Sequence, residues 1–318
     1  MIAVHIEKRR TSIIRVPKPR RPAGYSLIRL LCGGICNTDL ELLRGYYDFS
    51  GTPGHEFVGE VVASDDRRLP GRRVVGEINL ACGKCQWCKR NLGRHCPTRK
   101  VLGIAGHAGA FREYLTLPDH NLHVVPDDIP TSIAVFTEPV AAACEILDQA
   151  VILKSENIAV LGDGKLGLLV SQVLHAAGYS VLQFGHHREK LRIAEKQGVV
   201  TELVRNNLPV AEFGYVVEAT GTRGGLQTAV RMARPRGTVF IKSTVHGSVA
   251  IDTAPVVVNE ITLVGSRCGR FEPAIHLLRS GAINVADMVS NERPLSKASD
   301  AFARADKSGV LKILLRPD

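Results

Sequence analysis

The run Gly162-Asp163-Gly164-Lys165-Leu166-Gly167 constrains this chain more than any other segment. A G-x-G-x-x-G alone is a weak signal, and its setting makes this one strong. The apolar run Ile158-Ala159-Val160-Leu161 precedes it, and a helical pattern over 165–177 follows. Glycines at 162 and 164 permit a tight turn and close approach of the backbone to a pyrophosphate, while Gly167 lets the helix pack closely on a sheet. A strand feeding such a turn and then a helix opens a dinucleotide-binding unit. Gly162, Gly164, Lys165, Leu166 and Gly167 are therefore expected to hold a nucleotide cofactor.

The alternation continues with an apolar strand at 180–184 and further strands expected at 215–217, 238–241 and 261–264, the pattern of a parallel α/β sheet. Before about residue 130 the pattern differs. Short strands at 26–31, 56–62 and 73–76 are separated by Gly, Pro and Asp, which reads as an all-β beginning. A helical stretch at 273–279 opens a tail that ends in a strand at 311–315. At roughly 150 residues per domain, the 318 residues suggest two domains.

At the end of the second strand of such a unit, an NAD site usually shows Asp or Glu for the ribose hydroxyls. Here the chain reads Phe184-Gly185-His186-His187-Arg188. A glycine leaves room, and Arg188 with partly charged His186 and His187 can pair with a 2′-phosphate, so NADP is expected over NAD. The alternative keeps Arg188 as a solvated helix-start residue and lets Glu189 or a backbone group hold an NAD ribose.

The eight cysteines are unevenly spread, with Cys82, Cys85, Cys88 and Cys96 forming C-x-x-C-x-x-C-x7-C. Four thiolates so close can complete a tetrahedral zinc shell with no open position, which organises a loop without catalysis. An iron–sulfur cluster and four free buried cysteines are the alternatives. A second, dispersed set is Cys36 in Gly34-Ile35-Cys36-Asn37-Thr38-Asp39, His55 and Glu56 in Gly54-His55-Glu56-Phe57-Val58-Gly59, and Glu138 in Thr137-Glu138-Pro139-Val140. A thiolate, an imidazole and carboxylates can hold zinc and leave a place for a substrate oxygen. Taken singly, each also reads as a buried cysteine, a turn-capping histidine or a helix-start glutamate.

Composition narrows the class. Hydrophobic residues at 45% and charged residues at 23% fit a folded globular protein. Lys and Arg number 41 against 31 Asp and Glu, a net charge of +10 that attracts phosphates. The cations come in short clusters such as Lys8-Arg9-Arg10, and aromatics are only 5%, so no nucleic-acid partner is expected. The longest stretch without charged residues, 166–187, is interrupted by Ser171, Gln172, His175 and Gln183, so no membrane helix is expected. The first residues lack the apolar stretch of a secretory signal, and a cytoplasmic location is expected.

Taken together, G-I-C-x-T-D, G-H-E-x-x-G, the four-cysteine lobe, E-P and the dinucleotide fingerprint, in that order, resemble the zinc-dependent alcohol dehydrogenases of the medium-chain dehydrogenase/reductase superfamily, in the polyol, glucose and threonine dehydrogenase branch. The resemblance covers essentially the whole chain. It implies an α/β architecture: a GroES-like β catalytic domain over 1–133, rejoined by 271–318, and a Rossmann doubly wound parallel-sheet domain over 134–270. It implies two zinc ions per chain. Cys36, His55, Glu56 and Glu138 would serve the catalytic ion and Cys82, Cys85, Cys88 and Cys96 the structural one. Thr38 would pass the substrate proton, with Glu41 replacing the histidine that follows the relay hydroxyl in many relatives. Thr220, Ser243 and Ser266 would line the nicotinamide. The implied substrate is a small-molecule alcohol (polyol, sugar or secondary alcohol) or the matching carbonyl, and the implied assembly is a homo-oligomer, dimer or tetramer. Carbonyl or enone reduction, and an idle cofactor-binding protein that keeps its structural zinc, are the competing functions.

Overall fold

The structure is a computed structural model that describes every residue except Arg205, Asn206 and His246. The chain divides into two compact units, Met1–Glu138 with Val289–Asp318, and Pro139–Met288.

The first unit is built on a seven-stranded sheet whose order is Leu122–Val124, Arg73–Gly76, Glu56–Ala63, Tyr25–Gly34, Lys312–Arg316 and Val289–Pro294, with Tyr114–Pro118 also paired to Tyr25–Gly34. Strand Tyr25–Gly34 pairs antiparallel with three neighbours and buries Ile28, Leu30 and Cys32 at the period of two that puts alternate side chains on one face. The C-terminal strand Lys312–Arg316 pairs beside it, so both chain ends build one sheet. Its Ile313, Leu314 and Leu315 are fully buried, and so is Lys312, a charge in an apolar strand that needs a partner. The hairpin Ile2–Glu7 with Arg10–Arg15 was not foreseen from the sequence pattern.

The second unit carries a six-stranded parallel sheet in the order Val200–Leu203, Ser180–Gly185, Asn157–Leu161, Phe213–Glu218, Ala233–Ile241 and Thr262–Gly265. In chain order this is 3-2-1-4-5-6, the doubly wound arrangement. Ile158, Ala159 and Val160 have no exposed surface, as a parallel strand covered on both faces requires. The core gathers Phe184, Val216, Ala229, Val230 and Val239, with Phe184 and Phe213 edge to face at 5.9 Å. Helix Lys165–Ala176 follows the glycine turn as expected and buries Leu168, Leu169, Val170, Val173 and Leu174.

The expected strands all form, most of them longer by one to five residues, with Arg73–Gly76 as expected and Thr262–Gly265 and Lys312–Arg316 each shifted by one. The domain limits differ from expectation. The chain leaves the first unit after Glu138 and returns at Val289, so helix Phe271–Ser280 stays with the parallel sheet. One physical reason is Gln172, which is buried in helix Lys165–Ala176: its Oε1 accepts the Asn284 N–H at 2.6 Å and ties the 280s to this unit. Among the described residues, no helix is long and apolar enough to cross a membrane.

Candidate metal centres and cofactor loop

Cys36 follows strand Tyr25–Gly34 and caps helix Asn37–Arg44, while His55 and Glu56 stand where strand Glu56–Ala63 begins. Because those two strands pair with Gly34 opposite Glu56, the turn carrying Cys36 lies beside His55 and Glu56. One ligand atom from each of the three lies within 4.8 Å of the others. His55 and Glu56 are buried, Cys36 is half-buried, and Thr38 sets its hydroxyl 3.8 Å from the Cys36 sulfur.

Two buried acidic groups frame the cluster. Asp39 accepts the Cys36 N–H at 2.9 Å and the Gly54 N–H at 3.2 Å, and its Oδ1 lies 3.4 Å from His55 Nδ1. Burial works against a charged His55, yet Asp39 and Cys36 beside it raise its pKa well above the usual value. Glu56 Oε2 pairs with the Lys312 ammonium, both residues being 1% exposed. Burial alone would lower the Lys312 pKa, and Glu56 with Cys36 more than offsets this, so the lysine keeps its charge. Glu56 Oε1 is left buried with no hydrogen-bond partner among the described residues. A thiol, an imidazole and a carboxylate with one oxygen unpartnered form a donor set that suits zinc.

Two expected members stand apart. Glu138 is half-buried in the first turn of helix Thr137–Gln149 and does not belong to the three-residue group. Glu41 gives its carboxylate to Arg44, three residues on, and Arg44 also pairs with Asp306. Sequence reasoning assigned no role to Lys312 or Asp39. A lone lysine in the apolar run Lys312-Ile313-Leu314-Leu315 was the available signal for the first.

The four-cysteine lobe lies between strands Asn79–Leu80 and Lys100–Leu102, and one sulfur from each cysteine falls within 4.8 Å of the rest. Sulfurs about 2.3 Å from a central zinc form a tetrahedron with edges of about 3.8 Å. The separations Cys85–Cys88, Cys85–Cys96 and Cys82–Cys88 are 3.5, 3.8 and 3.9 Å. None of the eight cysteines is in a disulfide. Backbone N–H groups of Lys84 and Cys85, with the Thr98 hydroxyl, pull the Cys82 thiol down to about 6, whereas burial and Cys85 push Cys88 up to about 11.

In the glycine loop, Gly162 has φ +114°, and a Cβ there would lie 2.5 Å from the Ala219 carbonyl oxygen. A Cβ at Gly167 would collide with the Gly162 carbonyl oxygen, while one at Gly164 would meet no protein atom within 4 Å. The chain thus packs tightly behind the loop and leaves open space before it, the shape of a pyrophosphate cradle. Asp163 reaches from this loop to the end of strand Ser180–Gly185. Its Oδ2 accepts the His186 N–H at 2.7 Å and the His187 N–H at 2.6 Å, and faces His187 Nδ1 at 3.0 Å. Burial pushes its carboxyl up, and the bonds from His187 and His186 outweigh that and hold it below the usual value. Arg188 turns to Glu195 at 2.9 Å. His187 and Arg188, expected to pair with a 2′-phosphate, each face a carboxylate in this structure. Thr220 and Ser243 meet at buried Glu218, donating to its Oε1 at 2.6 and 2.9 Å. Ser266 accepts from buried Lys242 at 3.0 Å.

The pattern of an alcohol dehydrogenase GroES-like domain matches residues 22–127, and that of a zinc-binding dehydrogenase matches residues 166–280. A D-altritol 5-dehydrogenase of Agrobacterium fabrum is 30% identical over 94% of this chain and 94% of its own length. Among solved structures, a zinc-binding dehydrogenase from Sinorhizobium meliloti 1021 bound to NADP superposes with a TM-score of 0.89, at 27% identity over 99% of each chain. Alcohol dehydrogenase TADH from Thermus sp. ATN1 gives 0.89 at 29% identity over 100% of each.

Proposed function

The chain belongs to the zinc-dependent alcohol dehydrogenases of the medium-chain dehydrogenase/reductase superfamily and transfers hydride between an alcohol and a nicotinamide cofactor, and from that premise we propose that Cys36, His55 and Glu56 hold its catalytic zinc and that its substrate is a polyol. The observation that carries the assignment is the meeting of these three residues, one oxygen of Glu56 being buried without a hydrogen-bond partner among the described residues. The D-altritol 5-dehydrogenase relative supports the polyol. Zinc at this site supplies the Lewis acidity that makes an alcohol proton easier to remove, and nicotinamide supplies the hydride acceptor. The remaining work falls to the chain. Asp39 fixes the Cys36 backbone and faces the His55 ring, Lys312 holds one oxygen of Glu56, and Thr38 Oγ1 would relay the alcohol proton, accepting it as its own proton passes on to water. With Glu41 engaged by Arg44, we assign the proton transfer to Thr38 and not to Glu41. Glu138 would supply a further carboxylate to that zinc, the role the family resemblance implies for it. Glu138→Gln should then cut turnover by at least ~10-fold, the lower end for groups around a metal, and unchanged turnover would return Glu138 to a helix-start role.

A second zinc in the lobe of Cys82, Cys85, Cys88 and Cys96 is supported by sulfur separations close to a zinc tetrahedron. For the cofactor, the absence of an acid at Gly185 supports NADP, and the Asp163 carboxylate beside it supports NAD. The homo-oligomer is supported by strand Thr262–Gly265, an outer strand of the parallel sheet flanked by exposed Val257 and Val258, because an unpaired edge invites a second copy. A cytoplasmic enzyme is the location consistent with this chemistry.

The direct test is a panel of polyols, sugar alcohols and secondary alcohols, followed through nicotinamide absorbance with the unaltered protein and Thr38→Val. Turnover of a polyol, reduced at least ~100-fold in the variant while nucleotide binding is kept, is the expected result. Equal turnover in the variant would remove Thr38 from the reaction.

A further inference from the structure

Dinucleotide sites that prefer NAD end their second strand with an acid that takes the ribose hydroxyls. Gly185 leaves that position bare, and the packing keeps it so. A Cβ there would lie 2.6 Å from Asp163 Cβ, 2.8 Å from Asp163 Oδ2 and 2.8 Å from Leu191 Cδ2. The space is filled from the neighbouring strand. Strands Asn157–Leu161 and Ser180–Gly185 run parallel with Leu161 opposite Phe184, and the Gly162 N–H continues the ladder to the Phe184 carbonyl at 2.9 Å. Residue 163 therefore emerges level with residues 185–187, and the Asp163 carboxylate caps the loop there.

The cap has chemical consequences. Successive backbone N–H groups such as those of His186 and His187 are an ordinary cradle for a phosphate, and here a carboxylate occupies both, at 2.7 and 2.6 Å. A 2′-phosphate carries nearly two negative charges and only acceptor oxygens, so it would meet a carboxylate where it needs donors. Arg188, the guanidinium nearest in sequence, pairs with Glu195 at 2.9 Å in this structure. A ribose diol is the opposite case, because it brings O–H donors. Asp163 Oδ2 takes all the hydrogen bonds that Asp163 receives from the described residues, which leaves Oδ1 to accept from a hydroxyl. Asp163 is 8% exposed, so its charge acts in a site poor in water.

We propose that Asp163 is a specificity-determining residue that selects NAD over NADP, its carboxylate standing in, from the glycine-rich loop, for the acid missing at residue 185. This rests on the nicotinamide nucleotide reading of that loop. It reverses the preference expected from the segment 185–188 alone, because the charge at residue 163, 23 residues before His186 in sequence, lies next to that segment in space.

The test is equilibrium titration of the zinc-containing protein with NAD and NADP, and with the fragments 5′-AMP and 2′,5′-ADP, which carry only the adenosine half. The unaltered protein should bind NAD and 5′-AMP at least tenfold more tightly than their 2′-phosphorylated counterparts. Asp163→Asn, which keeps an acceptor for the two N–H groups and removes the charge, should shrink that ratio at least tenfold, and Asp163→Ser should act in the same direction if the amide variant folds poorly. Tighter binding of NADP by the unaltered protein, or an unchanged ratio in a folded variant, would overturn the proposal. Failure of all four nucleotides to bind would overturn it together with the cofactor reading on which it rests.

Discussion

Backbone N–H groups of Lys84 and Cys85, with the Thr98 hydroxyl, pull the Cys82 thiol down to about 6, while burial pushes Cys32 and Cys144 up to about 12. The thiolate is the reacting form, so the order of reactivity follows. In chelator-treated protein at neutral pH, peptide mass spectrometry should find Cys82 alkylated first and Cys32 and Cys144 last, and uniform labelling would contradict these environments. Lys312 offers a second test. Removing one partner of a buried ion pair costs about 3–5 kcal/mol because the other charge stays buried. Lys312→Met should destabilise the protein by that order in urea unfolding after chelation, and by less with zinc present, since the metal then compensates Glu56. Equal losses in the two conditions would argue against zinc at Glu56. Neither Lys312 nor Asp163 carried a readable assignment in the sequence. Each acts on a partner in another strand or loop, and only the sheet register brings Lys312 to Glu56 and Asp163 to His186.

Elements were far more legible than contacts. The runs at 158–161 and 180–184 are apolar enough to require burial on both faces, and the strands Asn157–Leu161 and Ser180–Gly185 form there. Strand Val200–Leu203 was missed because it is an outer strand with Val200 exposed and Thr201 and Glu202 within it, so it lacks a buried run. The metal-bearing elements were legible for a different reason: cysteines three residues apart can converge within one loop, whereas the gap from Cys36 to His55 has meaning only once two strands pair. The lobe carries its own prediction. Cys96→Ser opens the four-sulfur shell, and differential scanning calorimetry should show the unfolding midpoint lowered by about 4 °C or more, the shift of a loss of roughly 1–2 kcal/mol in a unit of this size. An unchanged midpoint would mean that the lobe holds itself together without metal.

For the molecule as a whole, the outer strand Thr262–Gly265 with half-exposed Leu263 is the proposed seam between copies. Light scattering should give a mass that is a multiple of the chain's 34.5 kDa, and Leu263→Lys, a charge on an open edge, should shift the population toward the single chain. A monomer in the unaltered protein would contradict the seam. We propose that one chain builds two zinc sites of different kinds, a closed sulfur shell and an open site of Cys36, His55 and Glu56. Elemental analysis of zinc per chain, on the unaltered protein and on Cys36→Ser and Cys96→Ser purified alike, tests it most directly. Two zinc ions are expected in the unaltered protein and one in each variant, with Cys36→Ser folded, able to bind nucleotide and without turnover. One zinc in the unaltered protein, undiminished by Cys36→Ser, would contradict it.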